Sequence, residues 1–355
     1  MGTNGQYTIG ILADDLTSAA DGASPFVERG LRAFVGRGSL PTEQVTIAAV
    51  DSGSRSVTAS QAAELAAKLA AQLASRNVLY KTVDSTLRGH VTAELEAAFK
   101  ACGRKTLVFA PAFPAAGRTT TSGVQFVNGV PVAESAYSRD PVHPARQSRL
   151  VDYVPACVSN VVMLDAVTQD DLDTQIAALP EPESILWVGS PGMALALAKR
   201  LAPVAAAPDA AVAARGDILI AIGSANPLSH RQADRVAAEA GVTLLRAPAQ
   251  RADDPVFVLR EIAQDAAGRL RDKRFDVVIA TGGDTMEAIL DRLNIRAFEI
   301  LREFEPGFPL GRAFRGDGGE LLIAMKAGGF GDDDTLRCAI AQLRQAFSVP
   351  GQVLS

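Results

Sequence analysis

Short apolar runs alternate with segments of helical periodicity along this chain, and the alternation limits the folds that it can adopt. The runs of strand length lie at 7–13, 45–50, 78–83, 106–110, 161–164, 185–189, 218–222, 242–245, 277–280 and 321–325. Between the second and third runs, Leu65, Leu69 and Leu73 recur at a spacing that places them on one face of a helix. Strands that alternate with helices pair in parallel, with helices covering the sheet. The sequence therefore predicts an α/β fold.

The alternation is interrupted at 201–217, where the chain is rich in alanine and proline and has no regular period. Single hydrophobic cores stop growing at about 250–300 residues, so a chain of 355 residues is expected to form two domains. We therefore predict two α/β domains, at 1–208 and 209–355, each with a mainly parallel sheet flanked by helices. The segment that joins them can act as a hinge.

Composition and charge narrow the classes of partner. Hydrophobic residues make up 48% of the sequence and charged residues 21%, which is typical of a soluble globular protein with a large core. The net charge is −5 and no basic stripe is present, which argues against nucleic acid as a partner. No apolar run approaches the roughly 20 residues of a membrane-spanning helix, so we expect no membrane association. A polar N-terminal segment and three widely separated cysteines favour a cytoplasmic location.

Strands of the predicted N-terminal domain are followed by carboxylates, hydroxyls and cations. The residues concerned are Asp14, Asp15, Arg55, Lys81, Asp84, Ser85 and Arg88. Because the carboxyl ends of parallel strands meet at one edge of a sheet, we expect these side chains to lie close together. Arginine binds planar anions and aspartate accepts hydrogen bonds from hydroxyl groups, so the set suits a small polyhydroxy acid. The alternative is that each segment is an ordinary polar loop, in which an aspartate caps a helix.

A further strand end, at 111–119, carries Arg118 in a loop that prolines stiffen. Arg118 could reach a carboxylate from this position. The competing interpretation is an ordinary surface turn.

Glycines follow strands of the predicted C-terminal domain. Such turns let backbone N–H groups approach phosphate oxygens, and the N-terminus of a following helix adds partial positive charge. The candidate nucleotide-binding residues are Ser224, Gly282, Gly283, Asp284, Thr285, Lys326, Gly328 and Gly329. Together they suit a nucleotide polyphosphate, although a single Gly-Gly pair is usually only a turn.

Several common catalytic motifs are missing from the sequence. It contains neither a Walker phosphate-binding loop nor the G-x-G-x-x-G dinucleotide fingerprint, and it lacks the H-E-x-x-H and G-x-S-x-G motifs. Two other functions are compatible with two α/β domains: an NAD-linked sugar-acid dehydrogenase and a non-catalytic sugar-acid-binding protein. The missing dinucleotide fingerprint counts against the first of these.

Taken in order, the strand-end segments resemble those of a known family. They lie at 13–17, 51–55, 80–89, 110–118, 139–141, 223–224, 282–285 and 326–331. In this order they resemble the four-carbon acid sugar kinases. The resemblance implies an N-terminal domain that binds the acid sugar and a C-terminal domain that binds ATP. It also implies an active site in the cleft between the domains, which close over both ligands.

The reaction implied by the resemblance is transfer of the γ-phosphoryl group of ATP to the terminal hydroxyl group of a four-carbon sugar acid. D-threonate and D-erythronate are substrates of the expected kind. By motif position, the residues that hold the substrate are Asp15, Arg55, Lys81, Asp84 and Ser85, and those that hold the nucleotide are Ser224, Gly282, Gly283, Asp284, Thr285 and Gly328.

The expected roles follow from the chemistry of phosphoryl transfer, which depends on alignment and charge neutralisation. We expect Arg55 and Lys81, with help from Arg88, to neutralise the substrate carboxylate. Asp15 or Asp84 would orient the attacking hydroxyl group and accept its proton. Mg²⁺ would bridge the phosphates, with Asp284 as its candidate ligand. Whether the chain forms a homodimer is left open.

Overall fold

A computed structural model of the protein describes residues 7–140, 143–202, 212–248, 254–272 and 274–345. Within it the chain separates into an N-terminal unit, 1–207, and a C-terminal unit, 208–355. Part of the predicted linker, 203–211, lies outside the described residues. None of the described helices is both long and apolar enough to cross a lipid bilayer.

The N-terminal unit is built around one parallel sheet and a small antiparallel sheet. Its strands are β1 (Ile9–Ala13), β2 (Ala33–Arg37), β3 (Ile47–Asp51), β4 (Val78–Thr82), β5 (Thr106–Ala110), β6 (Arg118–Thr121), β7 (Val124–Val127), β8 (Val130–Pro131), β9 (Val161–Met163) and β10 (Ile185–Gly189). The parallel sheet has the order β2-β3-β1-β4-β10-β5-β9. The antiparallel sheet is β6-β7-β8. Every residue of β1, β2, β3, β4 and β10 is buried, because helices cover the parallel sheet.

Three of the five described helices of this unit begin where a side chain caps their free N–H groups. They are α1 (Leu16–Val27), α2 (Ala59–Leu73), α3 (Val91–Cys102), α4 (Gln169–Ala178) and α5 (Pro191–Leu201). Thr58 and Gln61 form a capping box at the start of α2. Thr168 and Asp171 form one at the start of α4. Leu69 and Leu73 of α2 are fully buried against the sheet, whereas Leu65 is half-buried.

The C-terminal unit has a mixed sheet. Its strands are β11 (Asp217–Ile222), β12 (Val242–Arg246), β13 (Phe275–Thr281), β14 (Ala297–Glu303), β15 (Pro309–Phe314) and β16 (Glu320–Lys326), and its helices are α6 (Pro227–Val236), α7 (Pro255–Leu270), α8 (Gly283–Arg292) and α9 (Thr335–Gln345). The strands β12-β11-β13-β16 are parallel neighbours in that order. β15 and β14 continue the sheet in antiparallel pairing. The parallel part brings the ends of β11, β13 and β16 to one edge.

The predicted α/β class is confirmed, and the strands that the sequence did not predict are local exceptions. They are β2, the β6–β8 sheet, and the antiparallel strands β14 and β15. β2 has the sequence AFVGR, in which only three consecutive residues are apolar before Gly36 and Arg37 end the run. The glycine is required there, because a Cβ would lie 2.1 Å from the carbonyl oxygen of Ser39. β6 is a run of polar residues, RTTT, so it has no apolar pattern to reveal it.

The order of strands fixes where ligands can approach the N-terminal unit. β1 lies between β3 and β4, and it is parallel to both. The chain passes from β1 to β2 and β3 on one side, and then crosses to β4 on the other. Such a reversal leaves a crevice at the carboxyl ends of the strands. Asp14, Ser52 and Val83 directly follow β1, β3 and β4, so their loops border this crevice.

The α2 stripe allows a direct test of the fold. Leu69→Ala should lower the free energy of unfolding by about 2–5 kcal/mol, because it removes a fully buried side chain from the core. Leu65→Ala is the matched control on the same helix, and we expect a smaller loss because this side chain is only half-buried. Urea denaturation followed by circular dichroism measures both. Equal losses for the two variants would contradict this packing of α2.

Candidate active site

An arginine held between two aspartates lies at the crevice of the N-terminal unit. Arg55 donates from Nε to Asp14 Oδ2 over 2.8 Å and from Nη2 to Asp14 Oδ1 over 2.9 Å. Its Nη1 donates to Asp15 Oδ2. Asp15 Oδ1 accepts a hydrogen bond from the backbone N–H of Ser18 over 2.7 Å and so caps α1. Ion pairs therefore connect the loop after β1 to the turn after β3.

The two aspartates of this group ionise differently. Burial opposes the charge of Asp14, but Arg55 and Lys81 outweigh it and lower the pKa of this carboxyl. Burial is also the largest influence on Asp15, and there it prevails over the attraction of Arg55, with repulsion from Asp14 adding to it. The pKa of Asp15 is therefore raised above its ordinary value. Of the pair, Asp15 has the more basic carboxylate.

A second guanidinium group is held in the same way in the loop after β4. Asp84 Oδ2 accepts hydrogen bonds from Thr86 Oγ1 over 2.5 Å and from Arg88 Nε over 2.6 Å. Arg88 Nη1 donates to Asp140 Oδ2 over 3.2 Å. Burial opposes the charge of Asp84, but Arg88 and Arg55 outweigh it and lower the pKa of this carboxyl. Asp84 Oδ1 makes no hydrogen bond to any residue that the structure describes, so it is open to a ligand.

The loop after β4 is bent sharply to make this arrangement. Leu87 has φ 59° and Gly89 has φ 94°, a region that only glycine adopts without strain. A Cβ at Gly89 would lie 3.2 Å from Asp14 Oδ2, so the glycine also allows the backbone to approach the first aspartate closely. The two carboxylate–guanidinium groups thus lie side by side.

Lys81 is placed differently from the other cations. It is 1% exposed, and its Nζ lies 2.7 Å from Glu94 Oε2 on α3. Glu94 Oε1 accepts a hydrogen bond from Ser54 Oγ over 2.5 Å, next to Arg55 in the chain. Lys81 therefore supports the site from the interior and acts on Asp14 through its charge. Its expected direct contact with the substrate stays a prediction.

Gln125 on β7 and Tyr137 complete the site, and sequence reasoning assigned a role to neither. Gln125 Nε2 donates to the carbonyl oxygens of Ser85 over 2.8 Å and of Pro111 over 3.2 Å, which ties β7 to the loops after β4 and β5. The Arg88 Cζ lies 5.3 Å from the centroid of the Tyr137 ring. In the sequence, the segment 139–141, one of those that resemble the family, was the feature that pointed to this region. Nothing in the sequence pointed to Glu94 as a site residue, because a glutamate in a predicted helix is common.

In the C-terminal unit, the loops after β11, β13 and β16 approach one another so closely that side chains are excluded. A Cβ at Gly223 would lie 2.0 Å from Thr285 Oγ1. A Cβ at Gly328 would lie 2.0 Å from Ser224 Oγ. Gly282 has φ 97° where β13 turns into α8. The candidate nucleotide residues are thus brought together at one edge.

Two helices begin at this edge. Asn226 Oδ1 accepts a hydrogen bond from the N–H of Leu228 over 2.9 Å and caps α6. At the start of α8, Thr285 is buried and Asp284 is exposed. The first N–H groups of a helix attract anions, so both helix starts suit phosphate oxygens. The described residues contain no group of three or more His, Cys, Asp or Glu side chains able to hold a metal ion by themselves.

Lys326 lies beneath the loop that follows β16. Its side chain is fully buried, and Nζ donates to the carbonyl oxygens of Ala327 over 3.1 Å and Phe330 over 2.9 Å. Burial lowers the pKa of Lys326 to about 8, and the charge of Glu305 opposes this effect. In the described contacts Lys326 shapes the glycine loop, and its expected contact with the nucleotide stays a prediction.

Comparison with known proteins matches both units to described domains. Residues 9–160 match the model of a sugar-binding N-terminal domain. Residues 257–336 match the model of a nucleotide-binding C-terminal domain. The first match includes the two carboxylate–guanidinium groups, and the second includes the loops after β13 and β16.

Curated relatives are similar to the chain over nearly its whole length. A D-threonate kinase of Bordetella bronchiseptica is 30% identical, with 95% of this chain and 98% of the relative covered. A D-threonate kinase of Cupriavidus necator is 32% identical, with 92% and 95% covered. A 3-oxo-tetronate kinase of Methylobacterium radiotolerans is 26% identical, with 92% and 97% covered.

Solved structures share the fold. A Haemophilus influenzae protein superposes with a TM-score of 0.73 at 20% identity, over 94% of this chain and 100% of that one. A Bordetella bronchiseptica protein solved with bound citrate as a domain-swapped dimer gives a TM-score of 0.50 at 29% identity, over 95% and 98%. With these relatives matching nearly end to end, the resemblance seen in the sequence is confirmed. The chain belongs to the four-carbon acid sugar kinase family.

Proposed function

We propose that the protein transfers the γ-phosphoryl group of ATP to the terminal hydroxyl group of a four-carbon sugar acid, with D-threonate as the first candidate. The observation that carries the proposal is the pair of carboxylate–guanidinium groups, centred on Arg55 and Arg88, in a chain whose relatives include D-threonate kinases. D-Erythronate and a 3-oxo-tetronate are the next candidates. These relatives are named as kinases, and they lend no support to a dehydrogenase or a non-catalytic binding protein.

The aspartates of the N-terminal unit suit the hydroxyl groups of such a substrate. Ionised carboxylates only accept hydrogen bonds, and hydroxyl groups donate them. Asp84 stays ionised because its pKa is lowered, and its Oδ1 is open. In the proposal Asp84 orients the attacking hydroxyl group, with Ser85 beside it. Arg55 and Arg88 hold the side-chain carboxylates of these aspartates in place through ion pairs.

Asp15 is the proposed acceptor of the proton. A general base works best when its pKa lies near the working pH, and the pKa of Asp15 is raised whereas that of Asp84 is lowered. As the substrate oxygen bonds to the γ-phosphorus, the bond from that phosphorus to the bridging oxygen of ADP breaks. The hydroxyl proton passes to Asp15 and then to solvent.

The C-terminal unit suits the phosphates of ATP. Its glycine loops expose backbone N–H groups at the starts of α6 and α8, where anions are favoured. Mg²⁺ binds phosphates with only one or two protein carboxylates, so the exposed Asp284 in the first turn of α8 fits a place in its shell. Bound there, the ion would offset phosphate charge during transfer.

The proposed function is tested by ADP release. The protein with Mg-ATP is assayed against D-threonate, D-erythronate, L-threonate and a 3-oxo-tetronate, and the phosphorylated product is identified by mass spectrometry. We expect release well above ATP hydrolysis with at least one acid. Release with none, or an absorbance change that depends on NAD, would count against the kinase.

Removing the proposed base should affect turnover more than binding. Asp15→Asn should lower kcat by roughly 10²-fold or more, because asparagine takes no proton. Its single carbonyl oxygen can still cap α1, whereas the amide group that replaces Oδ2 no longer accepts from Arg55. The KM for ATP should hardly change. The decline in wild-type kcat at acid pH should begin above the pKa of an ordinary aspartate, since the pKa of Asp15 is raised.

Asp152→Asn, at an exposed site of the same unit, is the control and should behave as wild type. Near-normal kcat for Asp15→Asn would refute its role as base. In that case Asp84→Asn, which is expected to impair orientation of the hydroxyl group while ATP still binds, would identify the catalytic carboxylate.

The close approach of loops in the C-terminal unit gives a separate prediction. Gly328→Ala should raise the KM for ATP by roughly tenfold or more, because the new Cβ would lie 2.0 Å from Ser224 Oγ and push the loops apart. Gly268→Ala in α7 is the matched control, since open space surrounds that position. Calorimetric titration with a non-hydrolysable ATP analogue checks both variants. Unchanged affinity in Gly328→Ala would remove this loop from the nucleotide site.

A further inference from the structure

The cations expected to bind the substrate carboxylate already have carboxylate partners. Arg55 contacts both Asp14 and Asp15. Lys81 is buried against Glu94. A ligand carboxylate placed beside these groups would meet like charge as well as attraction, and like charges at this distance repel. These groups are better suited to hydroxyl groups than to an anion.

Arg88 is in the same situation. Its guanidinium group contacts Asp84 and Asp140, so two acids compete with any incoming carboxylate. The loop after β4 therefore supplies no cation without an acidic partner. A substrate that carries both hydroxyl groups and a carboxylate needs another cation at this edge.

Arg118, at the start of β6, differs from all of these cations. Its Nη2 donates to the phenol oxygen of Tyr137 over 2.8 Å and its Nη1 to the carbonyl oxygen of Ala116, both neutral acceptors. Its Nε makes no hydrogen bond within the described part of the chain. Among the described residues no carboxylate forms an ion pair with it. The Nε is buried, so the positive charge and the second N–H groups of Nη1 and Nη2 remain for an anion.

Tyr137 places Arg118 beside the rest of the site. The Cζ atoms of Arg88 and Arg118 lie 5.3 Å and 5.7 Å from the centroid of the Tyr137 ring. Gln125, on the strand paired with β6, bonds to the loops after β4 and β5. Arg118 is thus fixed next to Arg88 at the same sheet edge.

We propose that Arg118 binds the carboxylate of the substrate, while the aspartates paired with Arg55 and Arg88 bind its hydroxyl groups. This inference rests on the proposed function and adds the feature that selects a sugar acid over a neutral polyol. Arginine can bind a carboxylate through two parallel hydrogen bonds, which supplies both charge and orientation. Tyr137 holds the guanidinium group in position.

The test compares D-threonate with threitol, the neutral polyol that has a hydroxymethyl group in place of the carboxylate. In Arg118→Gln, kcat/KM for D-threonate should fall by roughly 10²-fold, and the preference for acid over polyol should fall by at least about tenfold. The KM for ATP should stay at the wild-type value, which shows that the fold is intact. Arg146→Gln, at an exposed arginine of the same unit, is the control and should change neither ratio.

An unchanged preference in Arg118→Gln would overturn the assignment. If that variant does not fold, Arg118→Lys decides, since it keeps the charge but loses the two-pronged contact. It should lower the preference by about tenfold, and an unchanged ratio again overturns the assignment. If the wild-type protein releases no ADP with any four-carbon acid, the proposed function fails. Calorimetric binding of D-threonate to wild type and Arg118→Gln then still decides on Arg118, with equal affinities overturning it.

Discussion

The arrangement of the N-terminal unit depends on how the half-buried Arg55 is neutralised. A guanidinium group in the interior costs several kcal/mol unless carboxylates surround it. Asp14 at the end of β1 and Asp15 at the start of α1 provide that charge. The same contacts join two strand ends. Arg55 and Lys81 lower the pKa of Asp14, whereas burial and repulsion from Asp14 raise the pKa of Asp15 against the attraction of Arg55. This ionic group therefore links the ends of the sheet, and in the proposed mechanism its Asp15 accepts the proton.

The charged pairs of this unit lie at two depths, one fully buried and the others partly exposed. The interior pair of Lys81 and Glu94 supports the turn that carries Arg55, and the groups of Arg55 and Arg88 face the crevice. Removing one member of a buried pair leaves the other uncompensated, so these residues are hard to replace singly. Among the described residues Arg118 contacts neutral groups only, and from this exception we infer where the substrate anion binds. In that proposal hydroxyl and carboxylate recognition use separate sets of side chains.

The candidate nucleotide site of the C-terminal unit depends on close packing of glycine-containing loops. A Cβ at Gly223 or Gly328 would lie only 2.0 Å from a neighbouring side-chain oxygen, so neither position can carry one and three loops meet as nearly bare backbone. The buried Lys326 stabilises the loop after β16 by donating hydrogen bonds to two of its carbonyl oxygens. Phosphoryl transfer requires alignment and charge neutralisation. In the proposed function, backbone N–H groups at two helix starts would supply both without a large cationic surface. This fits a chain whose net charge is −5.

The sequence by itself determined the α/β class, most of the strands and the edges where polar and glycine-rich segments gather. Those features follow from local periodicity and from the rule that parallel strands end together. It did not reveal β2, whose Gly36 masks the apolar pattern, or the threonine-rich β6. Only the tertiary structure decided which carboxylate each cation contacts. Glu94, Tyr137 and Asp140 are distant in sequence from their partners, so contacts that form only on folding gave Lys81 an interior role. The same contacts left Arg118 without an acidic partner in the part of the chain that the structure describes.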